Sequence, residues 1–153
     1  MSKIAVVGIG NTLRRDDGIG VVILESLLKL YRQEGVDYLN FGITSFDLLH
    51  RLRDYKKAVL IDGIHAGLTA GALKIFSLKD ARFNPDNLTT STHELNLKDI
   101  FALFKKLKLK TEIYVAGIQV KDTAFGQGLS AALENKKAEI ARDINVFIDG
   151  ILN

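Results

Sequence analysis

Ile4 to Gly10 run through seven residues without one polar side chain before the chain meets Asn11 and, shortly after, the adjacent acids Asp16 and Asp17. A strand with one wet face alternates apolar and polar residues. A continuous β-branched run belongs to a strand covered on both faces, as in parallel α/β sheets. The run is also far shorter than the roughly 18 residues a membrane helix needs. Past the loop, over 18 to about 31, Ile19, Val22, Ile23, Leu27 and Leu30 recur at helical spacing. Asp16 and Asp17 stand where carboxylates complement a helix N-terminus. The opening thus predicts strand, loop and helix.

The alternation continues. Residues 36–41 form a second expected strand, and Ser45 can cap a helix carrying Phe46, Leu48, Leu49 and Leu52. A third strand, 57–61, ends on Asp62. The stretch 63–71 leading to a fourth strand at 72–78 is too short for a helical crossover, which predicts an antiparallel, hairpin-like pairing and hence a mixed sheet. A polar loop through Pro85, Thr89 and Ser91 precedes a helix with Leu97, Ile100, Phe101, Phe104 and Leu107. A fifth strand at 111–116 follows. The last helix carries Ile140, Ile144, Phe147, Ile148 and Ile151 on one stripe. At 153 residues, with 47% apolar and 25% charged, the chain is expected to form one domain over 1–153. The fold class expected is α/β: a three-layer α/β/α sandwich around a five-stranded, mostly parallel but mixed sheet.

Composition narrows the chemistry. There is no cysteine, which removes disulfides, thiolate metal sites and thiol nucleophiles. With no secretory signal, a cytoplasmic location is expected, as are a monomer and no membrane insertion. The net charge of +3 raises the question of nucleic acid. Lys105, Lys106, Lys108 and Lys110, however, lack interleaved aromatic residues that stack bases, and they are expected to form a solvated helix end.

Functional groups of open α/β sheets gather beyond the carboxyl ends of the strands. The loop there, GIGNTLRRDDGIG from Gly8, lacks the third glycine of a dinucleotide fingerprint, since Leu13 stands in its place. Phosphate loops, zincin motifs and nucleophile elbows are missing too. What remains is acids and imidazole. Asp16 and Asp17 diverge by about 100° on a helix start, so only one of them is expected to face a given ligand. Asp62 is either a turn acceptor or a site residue. His50 reads as a partly buried surface residue of a helix, whereas His65 and His93 lie in loops that can present imidazole to a cleft. Two carboxylates with one imidazole would suit nickel, zinc or iron.

These residues resemble the hydrogenase maturation proteases, which trim the C-terminus of the nickel–iron hydrogenase large subunit. The resemblance spans nearly the whole chain. It rests on Gly8-Ile9-Gly10-Asn11 with Leu13, Asp16, Asp17, Gly18 and Gly20, on Asp62, on Ser91-Thr92-His93-Glu94-Leu95, and on Gly117-Ile118-Gln119 with Gly126, Gly128, Leu129 and Ser130. By resemblance, the metal-contacting positions are Asp17, Asp62 and His93. The family often has proline where this chain has Val120 and Ala70, and a glycine is common where Ser45-Phe46 follows Thr44.

The resemblance implies an endopeptidase that recognises nickel carried by the large-subunit precursor, its partner, and that holds no tightly bound metal of its own. Two aspartates sharing a proton would be an alternative on the same residues. A nickel-binding chaperone or sensor using the same ligands, without cleavage, is the rival reading.

Overall fold

The computed structural model describes residues 4–43, 47–80 and 97–152. Among them, β1 Ile4–Ile9, β2 Val36–Gly42, β3 Lys57–Ile64, β4 Leu73–Ser77 and β5 Glu112–Gln119 form one sheet in the order β2-β1-β3-β5-β4. β1, β2, β3 and β5 run parallel, and β4 is antiparallel to β5. The helices are α1 Ile19–Leu30, α2 Asp47–Leu52, α3 Leu97–Leu107 and α4 Ala131–Ile151. The α/β class and the mixed, helix-covered sheet match the expectation.

Strand alternation sorts the core into two layers. Ile4, Val6, Val59 and Ile61 pack with Ile23 and Leu27 of α1 and Ile140 and Ile144 of α4. Ala5, Val7, Leu60 and Val115 pack with Leu48 and Leu49 of α2 and Ile100 and Phe104 of α3. Each such Ile or Leu, withdrawn from water, contributes about 1.5–3 kcal/mol. Because helices cover both faces, β1 is buried over its whole length, which is why its sequence shows no alternation.

The order of the strands reverses between β1 and β3. The chain leaves β1 for β2 by way of α1 on one face and returns across β1 to β3 by way of α2 on the other. Two glycines bring α1 down onto this point. A Cβ on Gly20 would strike the carbonyl oxygens of Ile9 and Ile61, and one on Gly8 would lie 2.8 Å from the carbonyl oxygen of Gly20. The first turn of α1 therefore rests on the backbones of β1 and β3, at the crevice where α/β sheets bind ligands.

Two expectations are corrected. β3 does not stop at residue 61: its ladder with β5 runs on through Asp62↔Gly117 and Ile64↔Gln119, so Asp62 lies inside the strand. Gly63 does not turn the chain but pairs with Ile118 in the same ladder, and a Cβ there would lie 2.7 Å from the side chain of Val120. β4, although antiparallel, is no hairpin partner of β3, since β5 lies between them. The connection crosses the end of β5, where Gly71 N–H donates to the Gln119 carbonyl and Gln119 N–H to that of Ala72, at 2.8 and 2.9 Å. Short connections predict antiparallel direction better than adjacency.

Candidate functional site

The loop after β1 is bent by glycine and held by its own polar groups. Gly10 has φ +142°, and a Cβ there would strike the Asp17 carbonyl. Its N–H donates to the Gly42 carbonyl at 2.7 Å, tying the ends of β1 and β2 together. Asn11 Oδ1 accepts from Leu13 N–H at 2.9 Å, an Asx turn. Arg15 then adopts the left-handed region at φ +45° and opens a single 3-10 turn, Arg15–Gly18.

That turn sends the two aspartates apart, as their adjacency requires. Asp16, fully buried, faces the segment after β5. Its Oδ2 accepts from the N–H groups of Lys121 and Asp122 at 3.0 and 2.9 Å and from Ser130 Oγ at 2.8 Å. Oδ1 accepts from Ser130 N–H at 2.7 Å. Burial pushes the Asp16 carboxyl up, but these hydrogen bonds outweigh it and hold the group below its ordinary value. Asp16 is thus a structural anchor. Asp17, also buried, turns back toward β1, and its Oδ2 accepts from Asn11 N–H at 3.2 Å.

Asp62 is buried as well, on the face of β3 shared with Ala58 and Leu60, and its Oδ1 accepts from Gly63 N–H at 2.8 Å. Its register partner is Gly117. β1 pairs with β3 only as far as Gly8↔Ile61, so Asp62 stands one residue beyond that ladder. Asp17, through the 3-10 turn, and Asp62 therefore both belong to the carboxyl edge of β1 and β3, where the strand order reverses. The Asp16 carbonyl lies close over Gly63, 3.4 Å from where a Cβ would stand, which places the turn above β3.

His93 and its neighbours Ser91, Thr92, Glu94 and Leu95 lie outside the described residues, as do Thr44, Ser45 and Phe46. Among the described residues, no three metal-ligating side chains cluster. His50 is exposed on α2 rather than partly buried, and His65 is half-buried just after β3. Gln119 carries a role that spacing did not reveal. Its Oε1 accepts from the N–H groups of Ala66 and Leu68 at 2.8 and 3.2 Å, and its Nε2 donates to the Val120 carbonyl at 2.9 Å. The loop leaving the Asp62 strand is therefore pinned by the end of β5. Gln119 and Ser130 were visible in sequence only as members of glycine-bearing segments, with no physical task attached.

The sequence profile of HycI, hydrogenase maturation protease, matches residues 21–145. The chain belongs to the hydrogenase maturation protease family. Its fold resembles the NiFe hydrogenase maturation protease HycI from Thermococcus kodakarensis KOD1, with TM-score 0.74, 28% identity, and coverage of 97% of this chain and 93% of that one. The hydrogenase maturating endopeptidase HybD from E. coli shares the fold at TM-score 0.78 and 19% identity, over 97% of this chain and 93% of that one. The hydrogenase expression/formation protein HoxM of Azotobacter vinelandii is 30% identical over 102 residues, 66% of this chain and 49% of that protein. The chain spans about half the length of such curated relatives. Among the described residues no helix is long and apolar enough to cross a membrane.

Proposed function

We propose that this protein is the endopeptidase that removes the C-terminal extension of a nickel–iron hydrogenase large-subunit precursor once nickel has been inserted. One observation carries the reading beyond family membership: two buried aspartates, Asp17 and Asp62, on the carboxyl edge of the two strands between which the sheet reverses. Carboxylate oxygens suit a divalent ion of borderline hardness, and the imidazole of His93 would be the third donor.

In this reading the nickel is the substrate's cargo. Three side chains without a thiolate make an incomplete site that retains nickel weakly, so the precursor's own ligands complete the coordination. Engagement of the ion by Asp17, Asp62 and His93 brings the scissile amide to the cleft, and a precursor without nickel leaves it unpositioned. Polarisation by the ion then favours addition of water to the amide carbonyl; the C–N bond breaks and the departing amine takes the proton.

The experiment is a paired incubation of purified protein with nickel-free and nickel-loaded precursor, read by mass spectrometry of the C-terminus. Trimming of the loaded form alone is expected. Equal trimming of both would favour an aspartate pair sharing a proton, and nickel transfer without mass loss would favour the chaperone or sensor.

A further inference from the structure

Among the described residues, each of the four parallel strands is followed, at its carboxyl end, by one large exposed apolar side chain. Leu13 follows β1 and is 61% exposed, Ile43 follows β2 at 53%, Leu68 follows β3 at 39% and Phe125 follows β5 at 75%. The other large apolar residues exposed among the described ones, Leu30, Leu107 and Val146, lie on helices. Single exposed apolar residues need no explanation, but one on every loop of the edge that carries Asp17 and Asp62 forms a rim.

The rim is built rather than loose. Leu13 and Phe125 sit on two segments joined by hydrogen bonds, from Gly126 N–H to the Leu13 carbonyl at 2.9 Å and from Arg15 N–H to the Gly126 carbonyl at 3.1 Å. Leu68 is fixed through its N–H to Gln119, and Ile43 follows the Gly42 carbonyl bonded to Gly10. The rim also carries a cation with one unmatched donor atom. The Arg14 guanidinium lies 4.4 Å from the centre of the Phe125 ring, and its buried Nε has no hydrogen-bond partner. Arg14 as a whole is half-buried, and a carboxylate is the partner that the N–H fork of a guanidinium pairs with best.

The geometry points to a docking surface for one occupant: an extended, mainly apolar segment of the precursor polypeptide, with a carboxylate that pairs with Arg14 against Phe125. This rests on the proposed peptidase reading, since it places the occupant on the edge that bears the two acids. Apolar side chains on the rim would supply affinity, and the guanidinium would set register, because charge complementarity governs orientation more than raw affinity.

The test measures binding and cleavage separately, on the full-length protein and the purified nickel-loaded precursor. Leu13→Ser and Phe125→Ser are each expected to weaken binding and raise KM by roughly tenfold, with kcat little changed. Arg14→Glu should do the same, and Arg14→Lys should recover part of the loss. Leu30→Ser and Val146→Ser, on helices away from the edge, serve as controls for a general loss of surface apolarity, and unchanged melting curves exclude misfolding. Wild-type affinity and KM in the Leu13, Phe125 and Arg14 variants would overturn the docking surface while cleavage by the wild type upheld the peptidase. Binding by the wild type that is lost in those variants, without cleavage in any, would do the reverse. A wild type that neither binds nor cleaves overturns both.

Discussion

The Asp16 carboxylate receives both the backbone N–H and the hydroxyl of Ser130, 114 residues further along the chain, at 2.7 and 2.8 Å. Ser130 immediately precedes α4, so the contact ties the turn that carries Asp17 to the start of the helix covering the same face. The two adjacent aspartates therefore hold different segments: Asp16 binds the loop after β5 and the start of α4, and Asp17 binds the loop after β1.

Replacing Asp16 should therefore affect stability more than chemistry. Asp16→Asn puts an amide NH2 or a single neutral oxygen among four donors and is expected to cost about 2 kcal/mol, with processing reduced but measurable. The carboxyl is held below its ordinary value of 3.8, so its contribution is present above that pH and is lost as pH falls through the folded-state value. Denaturant melts of wild type and variant should differ most above about pH 5 and converge in more acid solution. A gap independent of pH would contradict the anchoring role.

Asp17→Asn, Asp62→Asn and His93→Ala are each expected to abolish precursor trimming. Mass spectrometry of the precursor after a long incubation reads the loss, and circular dichroism checks that the fold survives. An active Asp17→Asn beside an inactive, well-folded Asp16→Asn would show that the roles of the two acids are exchanged.

Gln119→Ala removes the acceptor for two loop amides. Hydrogen exchange at Ala66 and Leu68 should accelerate, and stability should fall by about 1 kcal/mol because two partly buried hydrogen bonds are lost. Unaltered protection at both amides would mean that the loop is held by something other than this side chain.

Glycines in this chain should respond to alanine in opposite directions. Gly20→Ala forces a methyl group onto the carbonyls of Ile9 and Ile61 and is expected to destabilise by about 3 kcal/mol or more. Gly150, in α4, meets nothing within 4 Å, and Gly150→Ala should stabilise by about 0.4–1 kcal/mol. Thermal melts of the two variants give the comparison directly.

Local pattern determined much of this protein. The apolar run of β1, the helical spacing of Ile19 to Leu30 and the stripe on α4 follow from residue periodicity, which burial on a strand or helix imposes directly. The candidate ligands, two aspartates and a histidine, came from the family resemblance rather than from periodicity, whereas the divergence of Asp16 from Asp17 follows from their adjacency. Long-range pairing had to decide the rest. Nothing near Asp62 records that β3 continues past Gly63, because that extension depends on β5, some fifty residues away, offering Gly117 to Gln119 as a ladder. The insertion of β5 between β3 and β4, the use of Gln119 as a clamp and the choice of Asp16 as anchor are likewise contacts between distant segments. A sequence displays the needs of each residue for burial or a hydrogen bond; which distant partner meets the need is fixed only when the sheet closes and the loops at its carboxyl edge meet.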